Sequence, residues 1–305
     1  MTGSPSADAP VSATGVLRLA TRGSAQATAQ ATAVADALVV AHPWLSVEMV
    51  FVETLGDQLT DVPLHTIGGQ GVFVKEVQRA LLQGQADLAA HSAKDLPSTT
   101  ADGLQLAAFC ERRDPRDALV GLPLDLLAHG ATLATGSVRR RAQLAAVRPD
   151  LQFVELRGNI HTRLSKLPAQ GALVMAVAAL QILELTDRIA QHLDVEVFVP
   201  APGQGCVALE CRDDDETTAE LLQAVDHAAT RAAVTAERAF LAQLGSGCSL
   251  PVGAHAVGDT LLGFLAHPDS GRWVRGECVL QGDATERAAQ AAALATDMQN
   301  QLEAG

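Results

Sequence analysis

Cys248 lies in the run Leu244-Gly245-Ser246-Gly247-Cys248-Ser249-Leu250-Pro251-Val252-Gly253. Glycines and serines beside the thiol, with Pro251 three residues on, rule out regular helix and put Cys248 on a loop. The residue type leaves its role open, because a free cysteine serves as a small core residue as readily as a reactive one. Asp95, next to Lys94 and two residues before Pro97, is an acid–base candidate. A carboxylate among cations stays ionised and stabilises developing positive charge, although it can also cap a turn. His91, four residues earlier, is read as ordering the same loop. Arginine recurs at strand-to-helix junctions: Arg22-Gly23-Ser24, Thr135-Gly136-Ser137-Val138-Arg139-Arg140, and Leu156-Arg157-Gly158-Asn159 leading to Thr162 and Arg163. Small hydroxyl residues there can cap the following helix, whose free N–H groups favour an anion. The planar arginine fork matches a carboxylate or a phosphate. From Arg139 to Lys166 there are seven basic and two acidic residues, so this segment is +5 in a chain of net charge −13. A local basic patch in an acidic protein points to a small polyanion with several carboxylates. Gly68-Gly69-Gln70-Gly71 lacks the Lys-Ser/Thr of a P-loop, so nucleotide binding is not supported.

These loops need rigid elements to aim them. Val16 to Thr21 reads as a strand, followed by an Ala/Gln-rich helix from Ala25 to Ala41. Val47 to Thr54 reads as a strand, and the glycine-rich turn leads into a helix ending near Leu82. Strands follow at Asp87–His91 and Leu104–Phe109. The alternation restarts with strand Thr132–Thr135, helix Val138–Val147, strand Leu151–Leu156, helix Ile160–Leu167 and strand Ala172–Val177. Such βαβα alternation builds α/β layers on largely parallel sheets, which bind ligands at the carboxyl ends of their strands. The charged, proline-containing run Arg112–Arg116 and the run Pro200-Ala201-Pro202-Gly203-Gln204-Gly205 read as hinges. Cys206–Cys211 is a strand predicted to rejoin the first sheet. From Asp226 a third unit is expected: a helix, the Cys248 loop, strands near Leu261–Ala266 and Trp273–Leu280, and a helix from Ala284. No internal repeat of 20 to 50 residues is evident.

Composition sets the outer limits. A chain of 305 residues with 48% hydrophobic content can bury the cores of two or three domains. Aromatics are 3% with no tyrosine, so the core is mostly Ala, Val and Leu. No apolar stretch approaches a bilayer span, and the acidic balance argues against nucleic acid or an anionic membrane as partner. The first fifteen residues carry neither a basic region nor an apolar segment, and read as a disordered tail rather than a signal peptide. Five cysteines without a CxxC pair indicate neither a disulfide framework nor a zinc site, so no metal is expected and the cytoplasm is the default compartment.

Taken together, these runs resemble the porphobilinogen deaminases, also called hydroxymethylbilane synthases. The resemblance is carried by Ala20–Ser24, Gly68–Glu76, His91–Pro97, Glu111–Ala118, Thr135–Arg140, Leu156–Leu164, Pro202–Arg212 and Leu244–Gly253. It implies an α/β fold of three domains. The first two would be periplasmic-binding-protein-like with mixed, mostly parallel sheets, and the third a small α+β domain with an antiparallel sheet. The expected boundaries are 16–110 with 206–224, then 111–205, then 225–305, behind the tail 1–15. The resemblance also implies a dipyrromethane cofactor held by Cys248 through a thioether. Four porphobilinogen units would be joined head to tail on it, each losing ammonia, and water would release hydroxymethylbilane. An electrophilic azafulvene would form from each incoming unit as ammonia departs. Asp95 matches the catalytic aspartate, with Lys94 as its active-site neighbour. Arg22, Ser24, Ser137, Arg139, Arg140, Lys94 and Gly158 match cofactor-binding positions. Arg22, Arg157, Arg163, Phe73 and Gln204 match substrate-binding ones. The two hinges would let the cavity widen as the chain grows, and the expected form is a monomer.

There are departures. Thr66, Gln70 and Ile182 stand where some relatives carry basic residues, which bears on affinity and elongation rate more than on the reaction. A non-enzymatic periplasmic-type binding protein, or a low-activity paralogue that binds a polycarboxylate tetrapyrrole, are the competing readings. The binding protein has no need of the Cys248 loop or the third domain, and the paralogue would bind the tetrapyrrole without turning it over.

Overall fold

The computed structural model describes residues 15–54, 74–245 and 251–304. Cys248, Phe73, Thr66 and Gln70 therefore lie outside the described residues. Two five-stranded sheets are each built to one pattern. In the first, β1 (Val16–Arg22) pairs in parallel with β2 (Ser46–Val52) and β3 (Leu88–Ser92). The fourth strand β4 (Leu104–Phe109) joins only through β10 (Val207–Arg212), which runs antiparallel to both β3 and β4. In the second, β6 (Thr132–Ala134) pairs in parallel with β7 (Gln152–Val154) and β8 (Ala172–Ala176). Here β5 (Asp117–Gly121) is the antiparallel insert, between β8 and β9 (Ile189–His192). Each sheet thus takes one strand that arrives directly after a crossover, β5 after 110–116 and β10 after 200–206. The chain crosses between the sheets twice, at the two runs expected to be hinges.

Helices cover the sheets for legible reasons. In α1 (Ala25–Ala41), Ser24 accepts a hydrogen bond from Ala27 N at 3.3 Å and caps the first turn. Its buried stripe of Ala31, Val34 and Leu38 packs on Leu17, Leu19 and Leu88. On the opposite face lies α2 (Lys75–Leu82), whose Val77 and Leu81 meet Ala20 and Ala89. The second sheet carries α3 (Val138–Val147), α4 (Ile160–Ser165) and α5 (Val177–Ile182). Ser137 caps α3 through Arg140 N, and Asn159 caps α4 through Thr162 N. A short α6 (Glu216–Leu222) follows β10.

The last part packs α7 (Ala228–Gln243) and α8 (Ala284–Ala304) on an antiparallel sheet of β11 (Val252–Val257), β12 (Thr260–Ala266) and β13 (Trp273–Val279). Phe240 of α7, fully buried among Val252, Leu261 and Met298, closes that core. The cores are mostly aliphatic, as the aromatic-poor composition requires, with single phenylalanines at Phe109, Phe198, Phe240 and Phe264.

Candidate active site

Asp95 and Lys94 sit on a single 3-10 turn, Ala93–Asp95, at the carboxyl end of β3. The turn is fixed from the second crossover: Ala93 N donates to Cys206 O at 2.9 Å. Gly203 lies directly against it, with φ +73°; a Cβ there would stand 2.9 Å from Ala93 Cβ and 3.1 Å from Lys94 N. Only glycine allows both that backbone conformation and that approach. Beside the turn, Arg22, Gln30, His91, Ser92 and Asp95 line a polar cavity floored by Val74 and Val77. His91 is fixed rather than free, with Nε2 3.1 Å from Glu210 Oε2, and Gln78 Nε2 donates to the other oxygen of that buried carboxylate at 2.9 Å. No described residue donates a hydrogen bond to the Asp95 carboxylate.

Across from Asp95 stand cations of the second sheet. Arg163 Nε donates to Gly158 O at 2.7 Å, which fixes the guanidinium against the loop before its helix. Burial, with help from Arg140 and Arg157, lowers the Arg163 guanidinium to about 10, against the pull of Asp95 and Glu155. Gly158 has φ +112° and lies against Thr162, so that no Cβ fits there. Lys94 Nζ reaches only Gln204 Oε1, at 3.4 Å. Burial and then Arg140 push the Lys94 ammonium down to about 8.

Asp117, at the start of β5, organises the rest. Its carboxylate takes Arg139 Nη2 at 2.8 Å, Arg140 Nη2 at 2.7 Å and Nε at 3.0 Å, and Gln204 Nε2 at 2.9 Å. Burial would push Asp117 up, but the two guanidiniums override it and hold it well below the usual carboxylate range. Arg139 is 5% exposed and also donates to Val199 O at 2.8 Å; Arg140 donates to Val174 O at 3.1 Å. The two helix-start arginines are therefore tied down by an acid that spacing alone did not reveal. Asp117→Asn would leave two buried guanidiniums facing a neutral amide. The expected cost is about 3 kcal/mol, read as a lower urea midpoint at unchanged slope; an unchanged midpoint would contradict this account.

A second buried acid ties the crossovers to the last part of the chain. Glu237 of α7, fully buried, accepts from Arg112 Nη1 at 2.6 Å, Arg112 Nη2 at 3.1 Å, Gly203 N at 2.7 Å and Ala256 N at 2.8 Å. His255 Nδ1 is 3.2 Å away. Arg112 belongs to the first crossover and Gly203 to the second, so one carboxylate holds both.

The comparisons with known proteins now decide the family. Residues 17–220 match the model described as porphobilinogen deaminase, dipyromethane cofactor binding domain, and residues 231–302 match that of the C-terminal domain. Porphobilinogen deaminase of Roseiflexus castenholzii is 46% identical over 298 residues, covering 95% of this chain and 96% of that protein. The same enzyme of Syntrophotalea carbinolica is 46% identical over 268 residues, 85% of each chain. The chain belongs to the porphobilinogen deaminase family. Among solved structures, the periplasmic sulfonate-binding protein SsuA of Methylobacillus flagellatus KT reaches TM-score 0.38 at 14% identity, over 73% of this chain and 66% of that one, a likeness too distant to add more.

The described site fits the dipyrromethane of this family. A polycarboxylate bearing pyrrole N–H donors needs fixed cations and a free acceptor. Among the described residues, Arg163 and Lys94 have no carboxylate at hydrogen-bond distance and Asp95 has no donor, so they supply both. Of the residues named from the sequence, the structure brings Arg22, Lys94, Asp95, Arg140, Arg163 and Gln204 to one cleft, with Gly158 behind Arg163. Ser24 and Ser137 act as helix caps at its edges. Asp117, Glu237 and Glu210 were missed. Glu237 had a signal: it shares a helix face with Val234 and Phe240, three residues either side, an apolar stripe where an acid requires a buried partner.

Proposed function

We propose that this hydroxymethylbilane synthase, a transferase, builds its product in the cleft between the two five-stranded sheets, with Asp95 as the catalytic carboxylate. The observation that carries the assignment is an Asp95 carboxylate at a strand end with no donor among the described residues, close to the cations Arg163 and Lys94. Bound through Cys248, the dipyrromethane supplies a free pyrrole α-carbon as nucleophile. Asp95 accepts the pyrrole N–H groups and stabilises positive charge as ammonia leaves the incoming porphobilinogen. Arg22, Arg157 and Arg163 bind its acetate and propionate groups in bidentate fashion. Arg139 and Arg140 share Asp117 and so present one net positive charge, prepositioned for the cofactor's carboxylates. Lys94 adds a cation whose charge is adjustable. Gln204 spans from Lys94 to Asp117 and couples the two walls of the cleft.

The domain organisation is taken as 16–110 with 206–224, then 111–205, then 225–305. The enzyme is read as a cytoplasmic monomer whose partner is porphobilinogen alone. No helix among the described residues is long and apolar enough to cross a membrane.

The test is turnover. Incubation with porphobilinogen should release one ammonia per unit consumed and hydroxymethylbilane as the first free product. Binding without ammonia release would favour a non-catalytic protein instead.

A further inference from the structure

Lys94 stands out among the cations of the cleft as a lysine whose ammonium burial pushes down to about 8. Its side chain is partly exposed, and its one side-chain hydrogen bond among the described residues is a long contact to a neutral carboxamide. That carboxamide is itself committed, through Nε2, to Asp117 and to Pro115 O at 2.7 Å. The charged groups around the ammonium are Arg139 and Arg140 on α3, Asp117 on β5 and Asp95 on its own turn. Asp117 is already shared by the two arginines, and Asp95 is the one acid left to offset a third cation. An empty cleft therefore disfavours the charged lysine.

We propose that Lys94 takes up a proton from solvent when a carboxylate-bearing ligand enters this cleft and returns it when the cleft empties, so that the site matches its charge to its guest. This inference rests on the cleft being the polycarboxylate site proposed above. The physical ground is mutual. Each arriving carboxylate favours the ammonium, and the ammonium then favours the carboxylate by the same free energy. A fixed arginine at this position would repel Arg140 in the empty site at every pH; the lysine does so only while protonated. The proton adds one charge for a dipyrrole or a growing chain, and a neutral pyrrole gains nothing from it. Lys94 is thereby a specificity residue for ligand charge.

The chain has three lysines, Lys75, Lys94 and Lys166, so competitive acetylation with acetic anhydride across pH 6–11, read by peptide mass spectrometry, resolves each. Cys248→Ser, which cannot hold the cofactor, is the empty site. Its Lys94 midpoint should lie near pH 8, below the ordinary lysine value of 10.5. Saturating porphobilinogen should move the midpoint up by a unit or more with the high-pH plateau kept, whereas simple shielding would lower the plateau instead. The wild-type holoenzyme should already show the raised midpoint. A Lys94 midpoint at the ordinary lysine value of 10.5 in the empty site, or one that ligand leaves in place, overturns the proposal. If the variant does not fold, wild-type Lys94 titrating near pH 8 with its cofactor attached overturns it equally. Intact mass separates the two readings: a wild-type chain carrying no pyrrole units contradicts the proposed function, whatever Lys94 does.

Discussion

Asp95→Ala is expected to lower porphobilinogen turnover by about 10³-fold while leaving the protein folded. Removing one preorganised electrostatic partner from a developing charge costs on the order of 10²–10³ in rate, and in the proposed mechanism this carboxylate accepts every pyrrole N–H added. The fold should not notice. No described residue donates to this carboxylate, and the turn is held instead by Ala93 N on Cys206 O and by the approach of Gly203. Stability within about 0.5 kcal/mol of wild type is expected, as for a partly exposed residue without partners. Steady-state ammonia release and urea unfolding, measured on the same preparation, check both halves. Wild-type rates in this variant would remove Asp95 from the mechanism.

Glu237→Ala has the opposite profile. It deletes the buried acceptor of Arg112, Gly203 N and Ala256 N together. Breaking a buried pair by removing one partner costs about 3–5 kcal/mol, because the remaining charge has nowhere to go. That is a large fraction of a typical domain's stability. The loss should appear as a sharply lower urea midpoint, and a shift below 1 kcal/mol would contradict the geometry. The pH dependence follows from the same contacts. Burial would raise the Glu237 carboxyl, but Arg112 and His255 outweigh it and hold it below its ordinary value of 4.5. Its contribution is complete above that value. It is lost as pH falls further, because the unfolded chain then binds the proton first. The variant should show a flatter acid limb than wild type.

The elements that position the site were largely legible because local chemistry specifies them. The helix over Ala25–Ala41 was legible from its Ala/Gln-rich run, and the structure gives the same limits. The return of the strand after Gly205 to the first sheet was visible in its apolar run and the preceding glycines, and β10 occupies that place one residue further on. Strands β5, β9 and β11 were not anticipated. The first begins inside the charged run of the first crossover, the second has four residues, and Val252–Val257 contains a glycine and a histidine. Their pairing is decided by partners far along the chain, which periodicity does not register. The expected strands over Thr132–Thr135 and Leu151–Leu156 shrink to three residues each, since their ends turn directly into the capped loops.

The same distinction holds within the site. The arginine-rich junctions announced an anion site, because residue type and capping are local. Asp117, 22 and 23 residues before the arginines it binds, did not announce itself; its role arises only where β5 inserts beside β8. The charge of the cleft was consequently overstated by the sequence, which counted Arg139 and Arg140 as two available cations where the fold supplies one net charge.

Cys248 remains the residue on which the whole reading turns, and the mass of the intact protein tests it most directly. The wild-type chain should exceed its sequence mass by two linked pyrrole units, the excess should remain after denaturation, and Cys248→Ser should lack it. A wild-type protein of unmodified mass that nevertheless converts porphobilinogen would contradict the account.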